Sequence, residues 1–410
     1  MSDLPPAASG WDDPGHKPHF LAGNSITLLR NGTEYFPALE QALDEAQREV
    51  FLESYIFEHD QTGRRIAAAL MRAARRGVLV HVMVDGFGSK NLSKQLIDEM
   101  LQAGVRLLKF RPEIGFFRIR RFRLHRMHRK LAVVDARLAF IGGINIIDDM
   151  DTPDQIPPRF DYAVAVQGPL LQPIRRAMQR LWARVAWTHF RQAWKHGAHI
   201  PVVAEPCGDI RAAFLVRDNI RHRRDIEEAY LRAIGAAQSE IVIANAYFFP
   251  GAQFRHALID AAGRGVRVLL LMQGRVEYVL LHYASRALYG SLIEAGVEIY
   301  EYHKGFMHAK VAVIDGHWAT VGSSNIDPFS LLVSREANVV VENPEFSGEL
   351  RQSLELAMQE GARLIQPEKW RRQSLLLRFG TWLSYGLVRF LMGMVGYARD
   401  SKERMERRQE

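Results

Sequence analysis

The sequence predicts an α/β fold built twice, with two α/β sandwich halves in one chain of 410 residues. Three observations carry this expectation. Segments of the first half recur in the second in unchanged order. Each half alternates helical and two-residue periods. Each half then ends in a strand-turn-strand pattern of the form His-x-Lys-x4-Asp.

The recurrence is direct. AARRGVLV, ending at Val80, matches AAGRGVRV, ending at Val268, an offset of 188 residues. Gln102-Ala-Gly104-Val-Arg matches Glu294-Ala-Gly296-Val-Glu at an offset of 192, and His128 matches His308 at 180. Drifting offsets in constant order are the mark of a duplication with loop insertions. In the first half, a helix is expected from Tyr35 to Arg48, with Phe36, Leu39, Ala42 and Ala46 on its apolar face. A strand from Val50 to Phe57, a helix from Arg65 to Arg76 and a strand from Val78 follow. The second half repeats this at Asp225–Ala237, Glu240–Phe248, Phe254–Ala262 and Val266–Met272. Switching between the two periods is the βαβ signature, and it places helices on a sheet. Prolines and a glycine between Ile200 and Gly208 mark a linker. The expected organisation is a polar tail (1–22), a first domain (23–200), a linker (201–208), a second domain (209–365) and a basic, apolar C-terminal segment (366–410).

Composition narrows the function. The apolar share is 48% and the charged share 24%, which suits a folded chain with a sizeable core. A net charge of +8 favours a polyanionic partner, either nucleic acid or an anionic membrane surface. The single cysteine, Cys207, excludes an intrachain disulfide and a thiolate metal site, and fits a reducing compartment. The polar, proline-rich N-terminus lacks the pattern of a signal peptide, and no membrane-spanning run is expected.

The motif copies carry the chemistry. The first runs from Met127 through His128, Lys130 and Asp135 to Gly142, Gly143 and Asn145. The second runs from Met307 through His308, Lys310 and Asp315 to Gly322, Ser323 and Asn325. Residues two apart on a strand share a face, so each histidine and its lysine point into one cleft. Two lysines and two asparagines could neutralise and hold the oxygens of a phosphodiester. One imidazole could attack phosphorus while the other protonates the leaving alkoxide and then deprotonates the incoming hydroxyl. The lysines supply the charge a metal would, so neither metal nor cofactor is expected. Gly143 and Ser323 are expected to let backbone approach the bound anion. Asp135 and Asp315 belong to the motif, but their place at the turn reads as structural. Each histidine needs a partner on its other ring nitrogen. Asp161 and Glu336, which open strands 33 and 28 residues beyond His128 and His308, are the candidates.

The paired motif resembles the duplicated HKD motif of the phospholipase D superfamily, over about Ile26 to Ala362. Leu29–Leu39, Glu53-Ser-Tyr-Ile-Phe57, Arg76-Gly-Val78 and Asp85-Gly-Phe-Gly-Ser89 look like bacterial cardiolipin synthases, in particular the short type without two N-terminal transmembrane helices. The resemblance implies two phospholipase D-like α/β/α domains related by pseudo-two-fold symmetry, with one shared site at their interface. It implies phosphatidylglycerol as both donor and acceptor, glycerol as leaving group and a phosphatidyl-histidine intermediate. Similarity favours His128 as nucleophile and His308 as acid/base, with Asn145 and Asn325 on the phosphate. A phospholipase or nuclease on the same fold is the alternative.

Two segments suggest how a lipid is met. The first half has 24 residues between Gly104 and His128, where the second has 12 between Gly296 and His308. The surplus, Lys109 to Arg126, alternates basic and aromatic residues, as expected for an anionic membrane surface or for stacking on bases. The stretch from Trp370 to Tyr397 is apolar but interrupted by Arg378 and Arg389. It reads as an interfacial helix, or else as helices packed on the core. Together they favour an anionic phospholipid membrane over nucleic acid as partner, with the protein peripheral on the cytoplasmic face of the inner membrane.

Overall fold

The structure is a computed structural model that describes residues 18–111, 125–152, 155–191, 194, 200–218, 222–276, 279–327, 334–371 and 375–395. The first half contains β1 (Leu21–Arg30), α1 (Asn31–Glu45), β2 (Glu49–Ser54), α2 (Gln61–Arg75), β3 (Leu79–Asp85), α3 (Lys94–Gln102) and β4 (Arg106–Phe110). It continues with β5 (Arg126–Met127), β6 (Leu131–Val134), β7 (Leu138–Gly142), β8 (Tyr162–Gln167) and α4 (Leu171–Thr188). The second half repeats the plan with β9 (Ile210–Arg217), α5 (Asp225–Ala236), β10 (Glu240–Asn245), α6 (Ala252–Gly263) and β11 (Arg267–Gln273). There follow α7 (Val279–Arg286), α8 (Tyr289–Glu294), β12 (Glu298–Tyr302), β13 (Lys310–Ile314), β14 (Trp318–Gly322), β15 (Ser334–Glu342) and α9 (Pro344–Gly361). The short β16 (Ala362–Leu364) precedes α10 (Pro367–Arg371) and α11 (Leu375–Val395).

The halves do not keep separate sheets. One hydrogen-bonded path runs β16-β12-β11-β10-β13-β14-β15-β9-β1-β8-β7-β6-β2-β3-β4. The join is the antiparallel pair β1–β9, whose register shifts between Leu21 and Asn24. Pairing the two halves edge to edge satisfies backbone groups that each sheet alone would leave open. β1 begins at Leu21, so it starts inside the stretch expected to be tail.

Among the described residues, three large cores follow from this arrangement. Leu39 of α1 and Ile66 and Leu70 of α2 pack on the first half's strands. Tyr230, Ile234 and Leu258 do the same in the second half. A third core draws on both halves at once, from Trp182 of α4 to Leu350 of α9. Turn glycines 77 and 104 and their repeats 265 and 296 all have φ between +88° and +96°, so the duplication extends to left-handed turns where a side chain would be strained.

The segment from Lys109 to Arg126 is described only at its ends, and residues 112–124 lie outside the described residues. The ends are tied together: Arg126 donates to the carbonyl of Arg111 and Arg111 to that of His125, each at 3.2 Å. In the C-terminal segment, α11 lies against α7 and buries Val388 with Phe249, Ala284 and Leu288.

Asp135 and Asp315 turn out to be caps, at the far ends of β6 and β13 from the lysines. Asp135 accepts from the backbone N–H groups of Gln47, Arg48 and Glu49 at 2.8–2.9 Å. Asp315 accepts from those of Gln238, Ser239 and Glu240, and from the Ser239 hydroxyl. Their carboxylates hold the start of β2 and β10 against the hairpin. Asp315→Ala should cost about 1–3 kcal/mol of stability by orphaning these donors, measured by urea unfolding, while the active-site chemistry persists. Undiminished stability with lost activity would contradict the capping role.

Candidate active site

The two halves meet through their motif strands. β5 pairs in parallel with the start of β15, Met127 opposite Arg335. Met307 forms the equivalent bridge with Phe160. Each contact is sealed by a backbone bond on the catalytic residue: His128 N–H donates to Arg335 O at 2.9 Å and His308 N–H to Phe160 O at 2.8 Å. Asp85 sets this strand's position by accepting from Met127 N–H at 2.9 Å.

These bridges bring each histidine against the other half's carboxylate. His128 Nδ1 lies 3.0 Å from Glu336 and 3.2 Å from the carbonyl of Ser323. His308 Nδ1 lies 2.7 Å from Asp161. The sequence singled out both carboxylates, yet its spacing argument paired each with the histidine of its own half, and the structure exchanges them. Carboxylate and carbonyl oxygens only accept, so Nδ1 carries the proton in both rings and Nε2 keeps its lone pair.

The glycine and serine of the motifs serve these carboxylates. Their own backbone N–H groups are spent in the sheet, Gly143 on Tyr162 O at 2.9 Å and Ser323 on Ala337 O at 3.0 Å. A Cβ at Gly143 would stand 2.3 Å from Asp161 Oδ1, so glycine is what lets Asp161 reach across. Ser323 donates its hydroxyl to Glu336 at 2.5 Å. The expectation that they cradle the bound anion is therefore corrected.

Lys130 and Lys310 are buried, and each Nζ donates to the carbonyl of the histidine two residues earlier, at 2.8 Å for Lys130. Asn145 accepts from Ile56 N–H at 3.1 Å. Its amide nitrogen makes no hydrogen bond among the described residues and stays available as a donor. Asn325 is buried beside Ile326, whose N–H donates to Asn245 at 3.1 Å. Among the described residues no three His, Cys, Asp or Glu side chains gather closely enough to hold a metal ion.

Burial sets the protonation states. It pushes His308 down to about 3, helped by Lys310 and opposed by Asp161. It also lowers His128, where Glu336 opposes and Lys130 assists. Burial would raise Glu336, but the facing His128, Lys130 and Ser323 outweigh it and hold it below the usual range. Burial brings Lys130 down to about 7, with Glu336 opposing and Lys310 repelling. The site thus holds two neutral imidazoles and two buried lysines that repel one another.

Sequence reasoning missed an asymmetry beside the first motif. Arg129 and Glu53 form a buried ion pair at 2.7 Å. The corresponding second-half positions, from the strand registers, are Ala309 and Ala244. Tyr55 is also unshared: its ring lies 4.7 Å from that of His128, and Lys130 Nζ sits 5.3 Å over it. The signal was present in Glu53-Ser-Tyr, which has Ala244-Asn-Ala in its place across the repeat.

Two neutral imidazoles, each with Nδ1 fixed on a carboxylate, and two buried lysines at a duplicated α/β junction define a phosphodiester-transfer enzyme of the phospholipase D-like class. Comparison with known proteins agrees. A family model described as cardiolipin synthase, PLD-like domain, matches residues 39–182 and 230–357. Cardiolipin synthase B of Shigella flexneri is 41% identical over 333 residues, covering 81% of this chain and 80% of that one. A probable cardiolipin synthase of Bacillus subtilis is 32% identical, over 83% of this chain and 67% of its own length. A crystal structure of phosphatidylserine synthase from Haemophilus influenzae shares the fold with a TM-score of 0.67 at 13% identity, covering 90% of this chain and 96% of that one. The chain belongs to the phospholipase D-like cardiolipin synthase family, and it is a phosphatidyltransferase-type enzyme.

Glu336→Gln and Asp161→Asn should each lower kcat by about 10²- to 10⁴-fold with little change in unfolding midpoint, because the wrong tautomer then faces the phosphorus. A steady-state rate within threefold of wild type for either would remove the orienting role. Binding of inorganic phosphate to the site should weaken as pH rises through about 7, where Lys130 loses its proton. In calorimetric titrations from pH 6 to pH 8.5, affinity that grows with pH would contradict this sign.

Proposed function

We propose that the chain is a cardiolipin synthase that moves a phosphatidyl group from one phosphatidylglycerol to another, releasing glycerol. The observation that carries this reading is the crossed pairing of His128 with Glu336 and His308 with Asp161, which makes one site from two motifs. Its support at family level is the similarity to cardiolipin synthase B.

In the proposed reaction, Nε2 of His128 attacks phosphorus and the phosphorus–oxygen bond to the glycerol headgroup breaks. His308 gives its Nε2 proton to the departing alkoxide. A hydroxyl of the second phosphatidylglycerol then passes its proton to His308 and attacks, and the phosphorus–nitrogen bond breaks. One phosphodiester is lost and one is gained. The bound anion itself prepares the acid: its charge opposes the burial that keeps His308 neutral, so that Nε2 takes up the proton it will donate. Lys130, Lys310 and the amide of Asn145 hold the phosphoryl oxygens as charge builds there. His128 is the nucleophile in this scheme because Tyr55 packs against its ring and Glu336 holds Nδ1, which fixes the direction of Nε2. In this reading the enzyme is peripheral on the cytoplasmic face of the inner membrane, where a bacterial cardiolipin synthase would meet its substrate.

Purified protein with phosphatidylglycerol should yield cardiolipin and free glycerol in equal amounts. Phosphatidic acid as sole product would assign the chain to hydrolysis instead. With phosphorus-labelled phosphatidylglycerol and rapid quenching, label should remain on wild type and be absent from His128→Ala. Label retained by His128→Ala and absent from His308→Ala would reverse the two roles.

A further inference from the structure

The outer side of α11 is built unlike a solvent face. Thr381, Tyr385 and Val388 follow the helical repeat and face the protein: Thr381 and Val388 are buried, and the Tyr385 ring lies 5.7 Å from that of Phe249. At about 100° per residue, Phe379, Trp382, Leu383, Leu387 and Phe390 fall on the other side. They are 64%, 69%, 58%, 46% and 64% exposed. A helix on a water-facing surface puts polar side chains there. Here both faces are apolar, and α7, against which the helix rests, adds Val279 at 62% exposure. Contiguous apolar exposure of this kind marks a contact surface.

Three observations favour a bilayer with anionic headgroups as the occupant. Arg389 sits at the edge between the two faces, donating to the Tyr385 hydroxyl at 3.1 Å with its guanidinium 5.7 Å from that ring's centroid. A cation at that level meets headgroup phosphates while its stem covers apolar surface. Between Trp370 and Tyr397 the sequence has no Asp or Glu. A second copy of this face would therefore bury arginine against arginine with no carboxylate to answer it. The chain's net charge of +8 favours an anionic surface. No described helix, α11 included, is long and apolar enough to cross a membrane.

We infer that α11 is an in-plane anchor that seats the enzyme on an anionic bilayer through Phe379, Trp382, Leu383, Leu387 and Phe390. The inference names the partner surface for the lipid reaction proposed above and rests on that reading.

The test compares the full chain with its Phe379→Ser, Leu383→Ser, Phe390→Ser triple variant. Binding is read by co-sedimentation with vesicles of phosphatidylcholine, with and without phosphatidylglycerol. Activity is read separately on phosphatidylglycerol in detergent micelles. The variant should bind phosphatidylglycerol vesicles at least tenfold more weakly, melt at the wild-type temperature and retain its micellar rate. Arg389→Gln should weaken binding to the anionic vesicles alone. Vesicle binding by the triple variant equal to wild type overturns the anchor. So does a wild-type dimer that the triple variant dissociates with vesicle binding unchanged, which would assign the face to a second copy. Vesicle binding that depends on these side chains, in a protein that makes no cardiolipin, upholds the anchor while rejecting the proposed reaction.

Discussion

The exchange of carboxylates between halves is the constraint on which the rest depends. His128 is held by Glu336 and His308 by Asp161, so neither half owns a complete catalytic histidine. This requires the strands before each histidine to cross to the other half, which β5 does at Arg335 and Met307 does at Phe160. It requires a glycine at 143, where any side chain would collide with Asp161. It also requires the continuous sheet through β1 and β9 and the shared core beneath it, since a hinge between the halves would pull both pairs apart together. A site of neutral imidazoles and buried lysines is costly to assemble, because every member gives up hydration. Spreading it over two halves lets each supply the other's counter-charge.

The symmetry is imperfect where the chemistry is asymmetric. The first motif alone carries the Arg129–Glu53 pair and the Tyr55 ring against its histidine. In the second, Phe306 lies 6.3 Å from the His308 ring, and Phe160 stacks on Tyr302 at 5.2 Å. A duplication starts with two equal halves, but a reaction with one nucleophile and one acid needs them to differ. Such differences stand beside both histidines.

Much of this was legible in the sequence because local patterns determine it. The helices and strands that periodicity places lie within a few residues of those positions, as in α5 at Asp225–Ala236 and β10 at Glu240–Asn245. The histidines, lysines and their carboxylate partners could be named, since the motif repeats and each acid opens a strand. What could not be read was which acid faces which histidine. Spacing along the chain measures proximity within a half and says nothing of a crossing between halves. The same limit misassigned Gly143 and Ser323: small residues beside a catalytic motif suggest room for a ligand, whereas here the room is taken by Asp161 and the hydroxyl by Glu336. The joined sheet was also invisible, because edge pairing between β1 and β9 leaves no local pattern distinct from ordinary strand alternation.

Each imidazole is held by the other half's carboxylate, and the Nδ1–H resonances of histidine-labelled protein report on that pairing. With the His128 and His308 signals assigned by single alanine variants, Glu336→Gln should shift the His128 proton and leave that of His308 in place. Asp161→Asn should do the converse. A His128 signal that moves with Asp161 and ignores Glu336 would show each half keeping its own carboxylate, and would contradict the crossed site.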